Sequence, residues 1–373
     1  MKVLVAGDFC VGMRVNDAVE TGDYAQMFNA VRPVIADSDI SIVNFEFPVV
    51  SGDDSPIAKV GPALHGSESA VEALRYAGFN VCTLANNHIL DYGERNCIRT
   101  RQVIEKSGIK TLGAGGNLEQ ASETLFIKVK NETIGLINCC EHEFSIASDN
   151  TAGANPLNPI AQYYKIREAK ASADYVVVIV HGGIEHYQHP TPRMLKEYRF
   201  FVDAGADAVV NHHQHCSCGY EIYKGKPIFY GLGNFLFDHN VLRNAPWNEG
   251  YMVELTLNRA SVSFNIIPYR QCGDTPSVTP LDKESEIAFK RRINDLNEII
   301  ASPYKLSEQQ DKYSLEHRRF ILSCFTPWTN RWLLAAYIRG LLPSFLNKRK
   351  RLVIKNRVTC ESHRELTIKE LNR

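Results

Sequence analysis

Three histidines and two cysteines fall within seven positions of VVNHHQHCSC, residues 209–218. Either they staple a small fold around zinc, or they form one lip of a site whose other walls lie elsewhere in the chain. The spacing Cys216-x-Cys218 is too short for a zinc-ribbon knuckle, and no second pair stands at a suitable distance, so both thiols read as packing. His213 and His215 alternate past a strand end, from which both rings can reach one cluster. Similar chemistry follows other apolar runs: KVLVAG leads to Asp8, ISIVNF to Glu46, VCTLA to Asn86, Asn87 and His88, YVVVIV to His181, and DAVVN to His212. The carboxyl ends of strands form the ligand crevice of open α/β sheets, so distant residues can converge on one rim. Two carboxylates, an amide and several imidazoles make a mixed N/O donor set that suits Zn, Mn or Fe better than Ca or Mg. One or two such ions are expected. A pair about 3.5–4 Å apart can activate water and stabilise both the attacking and leaving oxygens of a phosphoryl group. Singly, each residue has a plainer reading: Asp8 as a turn residue, Glu46 as a buried ion-pair partner, ANNH as a self-bonding loop, His181 as a satisfied core histidine. Their conjunction at five strand ends points to one site.

The elements that must position these groups are also legible. Short β-rich runs alternating with helical patterns predict a layered α/β domain whose central strands are buried on both faces. SESAVEALRYAGF predicts a helix with Ser67 as N-cap and Gly78 as its stop, and RMLKEYRFFVDAG, ending at Gly205, repeats the design. YMVELTLN and SVSFNIIPY alternate like paired antiparallel strands. These features predict a body over 1–270, a linker over 271–282 rich in turn residues, and a helical, basic extension over 283–373. Within the extension, helices are expected from Glu284 to Ile300, Glu308 to Cys324 and Trp328 to Leu346. LGAGGN lacks the P-loop lysine and the dinucleotide fingerprint, and reads as a turn.

The 373 residues carry 42 Lys and Arg and 42 Asp and Glu, so no global field argues for nucleic acid. The balance is uneven: from Asn330 onward 11 basic residues face 3 acidic ones, a net of +8 that leaves −8 on the rest. MKVLVAGDF reads as a strand without a basic n-region or cleavage site, so no secretory signal is expected. The ten cysteines are irregularly spaced, with Cys139 and Cys140 adjacent, which suits reduced thiols in a cytoplasm. No uninterrupted apolar stretch reaches the length of a spanning helix. RWLLAAYIRGLLPSFL followed by NKRKR gives two readings: a helix packed on the body with a solvated end, or an interfacial anchor on anionic lipid at the inner membrane face.

With LANNHILDYG, HGGIEHY, HHQH and YGLGNFLFD in this order, the chain resembles the CapA family of poly-γ-glutamate and capsule biosynthesis proteins, a branch of the calcineurin-like metallophosphoesterases. The resemblance runs from Asp8 to about Asp238 and implies an α/β/β/α sandwich. It implies Asp8 as a ligand of a first metal, Glu46 as the carboxylate near or between metals, Asn87 and His181 as ligands of a second, and His213 and His215 as completing both. His88 would touch substrate oxygen and act as acid to a metal-bound hydroxide, with Asp91 orienting its ring. Glu185, Tyr187 and Asn234 would line the crevice, and Asn44 in NFEFP and His212 are further candidates for substrate contact. Cys10 stands where the wider superfamily has a histidine, and Glu46 where it has an aspartate.

Three functions are then open. The first is a metal-dependent phosphoesterase in capsule or exopolymer production, acting on a phosphoester or an anionic polymer. The second is a non-hydrolytic accessory subunit that holds such a polymer within a synthesis or export complex. The third is metal-assisted proton abstraction of the kind an epimerase performs.

Overall fold

Alternation along the strands sets the layers. In the first strand Val3 and Val5 join one apolar cluster while Leu4 and Ala6 join another, as period-two side chains must when both faces of a sheet are covered. The computed structural model describes residues 1–52, 54–239, 246–258 and 261–371. Its strands, in chain order, are β1 Lys2–Phe9, β2 Ile40–Phe45, β3 Val81–Thr83, β4 Lys110–Leu112, β5 Ala114–Gly115, β6 Leu125–Val129, β7 Glu132–Cys140, β8 Gly153–Ala154, β9 Tyr175–His181, β10 Ala208–His212, β11 Tyr220–Tyr223, β12 Lys226–Phe229, β13 Asn234–Leu236, β14 Glu249–Asn258, β15 Ser261–Gln271 and β16 Val278–Pro280. One sheet has the order β16-β15-β14-β1-β2-β3-β4, with β13 also paired to β1. The second has the order β11-β12-β10-β9-β7-β6.

The cluster holding Val3 and Val5 also holds Ile40, Ile42 and Val81 from the first sheet and Leu136, Val177, Ile179 and Val210 from the second. It is therefore the layer between the sheets. Leu4, Val43 and Cys82 pack outward against Val71, Leu74 and Ala77 of the helix Ser69–Ala77 and Ile104 of the helix Gly93–Lys106. On the far side, Val176, Val178 and Val180 meet Met194, Tyr198 and Phe201 of the helix Pro192–Ala204 and Ile166 of the helix Pro159–Ser172. The expected α/β/β/α sandwich is this arrangement.

The helix stops fall where the glycines are: Gly78 at φ 102° and Gly205 at φ 126°. The start of the first differs, since Glu68 is the N-cap residue and Ser67 Oγ instead accepts from the Ser69 amide at 3.2 Å. LGAGGN turns at Gly113, gives β5 and places Asn117 as N-cap of a short helix.

The chain divides into two units, Met1–Leu306 and Ser307–Arg373, so the first runs well past residue 270. Two features carry it there. The turn-rich 271–282 segment contains β16, antiparallel to β15, and the helix Lys283–Ile300 gives Phe289, Ile293 and Leu296 to the inter-sheet layer. The predicted antiparallel pairing of β14 with β15 is present.

The second unit is helical. The helix expected from Trp328 to Leu346 extends only from Arg331 to Ile338, because Gly340 takes φ 88° and Pro343 follows. Trp328 Nε1 donates to the Pro343 carbonyl at 2.9 Å, and Arg319 Nη1 donates to the Tyr337 and Leu342 carbonyls at 2.8 and 3.1 Å. The helix expected from Glu308 to Cys324 is Pro303–Glu316, followed by the separate turn Arg318–Ile321. Among the described residues no helix is long and apolar enough to cross a membrane.

Candidate metal centre

Parallel register builds the site. Asp8 on β1 stands beside Asn44 on β2 and Asn234 on β13, while His181, the last residue of β9, stands beside His212, the last of β10. Register shifts interrupt β1 at Asp8 against both neighbours, the kind of irregularity that re-aims a side chain near a site. A Cβ on Gly7 would lie 1.9 Å from the Gly233 carbonyl oxygen, so only glycine lets β1 meet the turn before β13. Past β10 the chain turns through His213 at φ 94° and His215 at φ 55°. Left-handed conformations at two non-glycine residues cost about 1–3 kcal/mol each and persist where the surroundings hold them.

The two sheet ends bring Asp8, Glu46, His181, His213 and His215 together, all buried. Two buried groupings have ligand atoms within 4.8 Å of one another: Glu46, His181 and His213, and Asp8, Glu46 and His215. Glu46 Oε1 lies 3.5 Å from His181 Nε2 and 3.7 Å from His215 Nε2. His213 Nδ1 and His181 Nε2 approach to 3.1 Å, and Asn87 Oδ1 is 3.0 Å from the same His181 nitrogen. His215 Nδ1 donates to Asn234 Oδ1 at 2.9 Å, which leaves Nε2 as its ligand atom, the arrangement by which an outer partner fixes a ligating ring. Asn44 Nδ2 donates to Asp8 Oδ1 at 2.7 Å and lies 3.2 Å from His181 Nδ1. Asn44 and Asn234 thus brace the cluster from within.

Burial decides the electrostatics. It pushes the Glu46 carboxyl well above its usual range, reinforced by Asp8, Glu185, Glu143 and Asp91. The same burial, with His213 adding to it, drives His181 well below the ordinary histidine value, and burial takes His215 down to about 4. Burial also works against the Asp8 carboxylate, but the neighbouring His212, with His181 and His215, holds it well below the usual range. Neither oxygen of Glu46 meets a hydrogen-bond partner. An unpartnered buried carboxyl beside His181 and His215, both pushed toward the neutral form, is the donor set a transition-metal dication would satisfy, so these residues fit such an ion.

His88 lies beside this cluster through Asn87. Its Nδ1 donates to Asp91 Oδ2 at 2.6 Å, and Asp91 also accepts from Lys59 Nζ at 2.5 Å and from the Leu64 amide at 2.7 Å. Lys59 Nζ is 3.3 Å from His88 Nδ1 and 5.7 Å from the Phe144 ring centre.

The other candidates lie as follows around the cluster. His212 faces inward, its Nδ1 3.3 Å from Asp8 Oδ1, and Asn234 supports His215. Tyr187 packs against His189 and accepts from Cys218 Sγ through its carbonyl. Exposed Glu185 joins His213 and His215 in a third grouping. Burial keeps the Cys10 thiol protonated beside Glu46 and Asp8, and it belongs to no ligand grouping among the described residues. Sequence reasoning missed Glu143, whose Oε2 accepts from Asn87 Nδ2 at 3.3 Å and whose Oε1 is 3.6 Å from His213 Nε2. Glu143 follows β7, so the strand-end pattern could have found it. Lys59 had no such signal.

Comparison with known proteins identifies a family. The family described as bacterial capsule synthesis protein PGA_cap matches residues 2–239. Capsule biosynthesis protein CapA of Bacillus anthracis is 30% identical over 294 residues, covering 76% of this chain and 71% of that one. PGA biosynthesis protein CapA of Bacillus subtilis (strain 168) is 30% identical over 316 residues, covering 83% and 81%. Among solved structures, a phosphatase of Mycoplasma pneumoniae aligns with a TM-score of 0.42 at 15% identity, over 77% of this chain and 96% of that one.

Proposed function

The chain belongs to the family of bacterial capsule synthesis proteins, and we propose that within it this protein is a metal-dependent phosphoesterase serving the production of a capsule or exopolymer, poly-γ-glutamate or a polysaccharide. The observation that supports this most is the meeting of Asp8, Glu46, His181, His213 and His215 at two facing sheet ends, with the oxygens of Glu46 unpartnered. Glu46, Asn87, His181 and His213 would hold one ion, and Asp8, Glu46 and His215 would hold another. An ion there supplies Lewis-acid charge for a phosphoryl oxygen and lowers the pKa of water.

The protein's own part is proton handling and orientation. Asp91 takes the Nδ1 proton of His88 in a hydrogen bond and so leaves Nε2 as the atom that can pass a proton to a leaving oxygen. Lys59 and the Leu64 amide also donate to Asp91, one on each oxygen, which fixes the carboxylate and through it the ring. Asn44 and Asn234 keep Asp8 and His215 in place without adding charge.

Purified protein supplied with Mn or Zn is expected to cleave an aryl phosphate or phosphodiester, and His88→Ala or His213→Ala to abolish cleavage. Absence of both metal uptake and hydrolysis under Mn, Zn and Fe would remove the reading. A second reading, an accessory subunit that holds an anionic polymer without cutting it, is favoured by the cations gathered in the second unit. It predicts polymer binding that survives His88→Ala.

A further inference from the structure

Two dications in one pocket bring four positive charges, yet the buried part of the cluster offers two carboxylates, Asp8 and Glu46. Uncompensated charge in a buried site is costly, so a second ion needs an additional anion at the pocket. Cys10, at the position where a further ligand of the Asp8 side would be sought, joins no ligand grouping among the described residues. Two carboxylates stand at the mouth. Glu143 is engaged with Asn87 Nδ2 and has one contact to the cluster, 3.6 Å from His213 Nε2. Glu185 is different: its carboxylate forms a three-donor grouping with His213 and His215, all ligand atoms within 4.8 Å.

We propose that Glu185 is a metal ligand: with His215 it completes the second ion's place on the solvent side, an outer, solvent-reachable position through which that ion is held and exchanged while His213 stays with the inner one. This rests on the metal-centre reading above. The two inner groupings are buried throughout, whereas Glu185 is exposed. The outer position therefore trades its ion with solvent, and the inner Glu46, His181 and His213 position retains its own. Carboxylates with an imidazole again suit Mn, Zn or Fe.

The test is metal binding, not turnover. Chelator-stripped wild type, Glu185→Gln and Glu143→Gln are titrated with Mn(II) or Zn(II) by calorimetry, and ions per chain are counted by elemental analysis after dialysis. Wild type is expected to show a tight and a weaker event. Glu185→Gln is expected to keep the tight event and weaken the other by about tenfold or more, since even outer-shell changes have effects of that size. Glu143→Gln, which acts through Asn87 and His213, is expected to weaken the tight event and leave the weaker one. Because Glu185 is exposed, its substitution leaves the core intact. A Glu185→Gln chain with wild-type ion count and affinities, or loss of the weaker ion in Glu143→Gln alone, overturns the proposal. Wild type that takes up no ion removes the metal-centre reading itself, a different result.

Discussion

Glu46 sits without a hydrogen-bond partner on either oxygen in a pocket that disfavours its charge, so a bound dication should stabilise the fold by mass action. At a free concentration of 100 times Kd the gain is about 2.7 kcal/mol, or a rise in Tm of roughly 5 °C for a domain this large. Thermal melts in Mn or Zn against chelator should show that rise in wild type and lose it in Glu46→Gln. An equal rise in the variant would mean that the ion binds elsewhere. Lys59 makes a separate case. Its side chain is 4% exposed and sits on Asp91, so Lys59→Met should release the carboxylate that orients His88. We expect kcat to fall by about ten- to a hundredfold, part of what a general acid supplies, with KM and metal content little changed and partial rescue by Lys59→Arg. Unchanged kcat would leave Lys59 a structural residue. The contrast between the two residues explains what could be read in advance. Glu46, Asn87 and the histidines follow β-rich runs, and strand ends are predictable. Lys59 lies in DDSPIAKVGP, a loop without periodicity, and only the folded path brings it to Asp91. Glu185 was legible as a rim residue, but its company with His213 and His215 was not, because that depends on the left-handed turn after β10.

Elements were read well where one local signal decides them and poorly where packing decides. Gly78 and Gly205 stop their helices because glycine adopts positive φ freely. By contrast β16 is three residues with Pro280 at its end, and pairing with β15 makes it a strand. The helix Lys283–Ile300 looked like the start of an extension, yet it covers the inter-sheet layer. Burying Phe289, Ile293 and Leu296 contributes about 1.5–3 kcal/mol each, together comparable with the whole stability of a domain. A chain ending at Leu306 should therefore fold, and one ending at Asp282 should not, as judged by circular dichroism and urea denaturation. Equal folding of both would return the boundary to residue 270. Glu249 on β14 ties this helix to the sheet through Arg292 at 2.6 Å and Arg270 at 2.7 Å. Burial pushes its carboxyl up, but hydrogen bonds from both arginines outweigh that and hold it below the usual glutamate range. A carboxyl lowered in the folded state stabilises above its unfolded value, and that contribution disappears as pH falls through the folded one. With both arginines more than a third exposed, screening limits each bridge to about 0.2–1 kcal/mol. Glu249→Gln should thus lower stability in urea at pH 7 and make little difference at pH 3.

Charge is segregated along the whole molecule. The unit from Ser307 carries 14 Lys and Arg against 6 Asp and Glu, a net of +8, leaving −8 on residues 1–306. Between His317 and Cys360 there are ten basic residues and no acidic one. The same segment exposes large apolar groups, with Trp332, Leu341 and Phe345 each more than half accessible. Cations alone would suit any polyanion. Cations interleaved with exposed tryptophan, leucine and phenylalanine fit a surface that is anionic outside and apolar just beneath, as an acidic lipid leaflet is. At about 1 kcal/mol per basic residue near such a surface, five engaged side chains would give about 5 kcal/mol before any apolar insertion. The 373-residue chain should therefore float with vesicles containing acidic phospholipid. It should stay behind with neutral vesicles and come off in high salt, because exposed charges are screened within a few ångströms there. The chain ending at Leu306 should not float under any condition. Equal flotation of both chains would move the contact to the body. Failure of both to float, with retention of the 373-residue chain alone on soluble polyglutamate, would assign the basic unit to the polymer and not to the membrane.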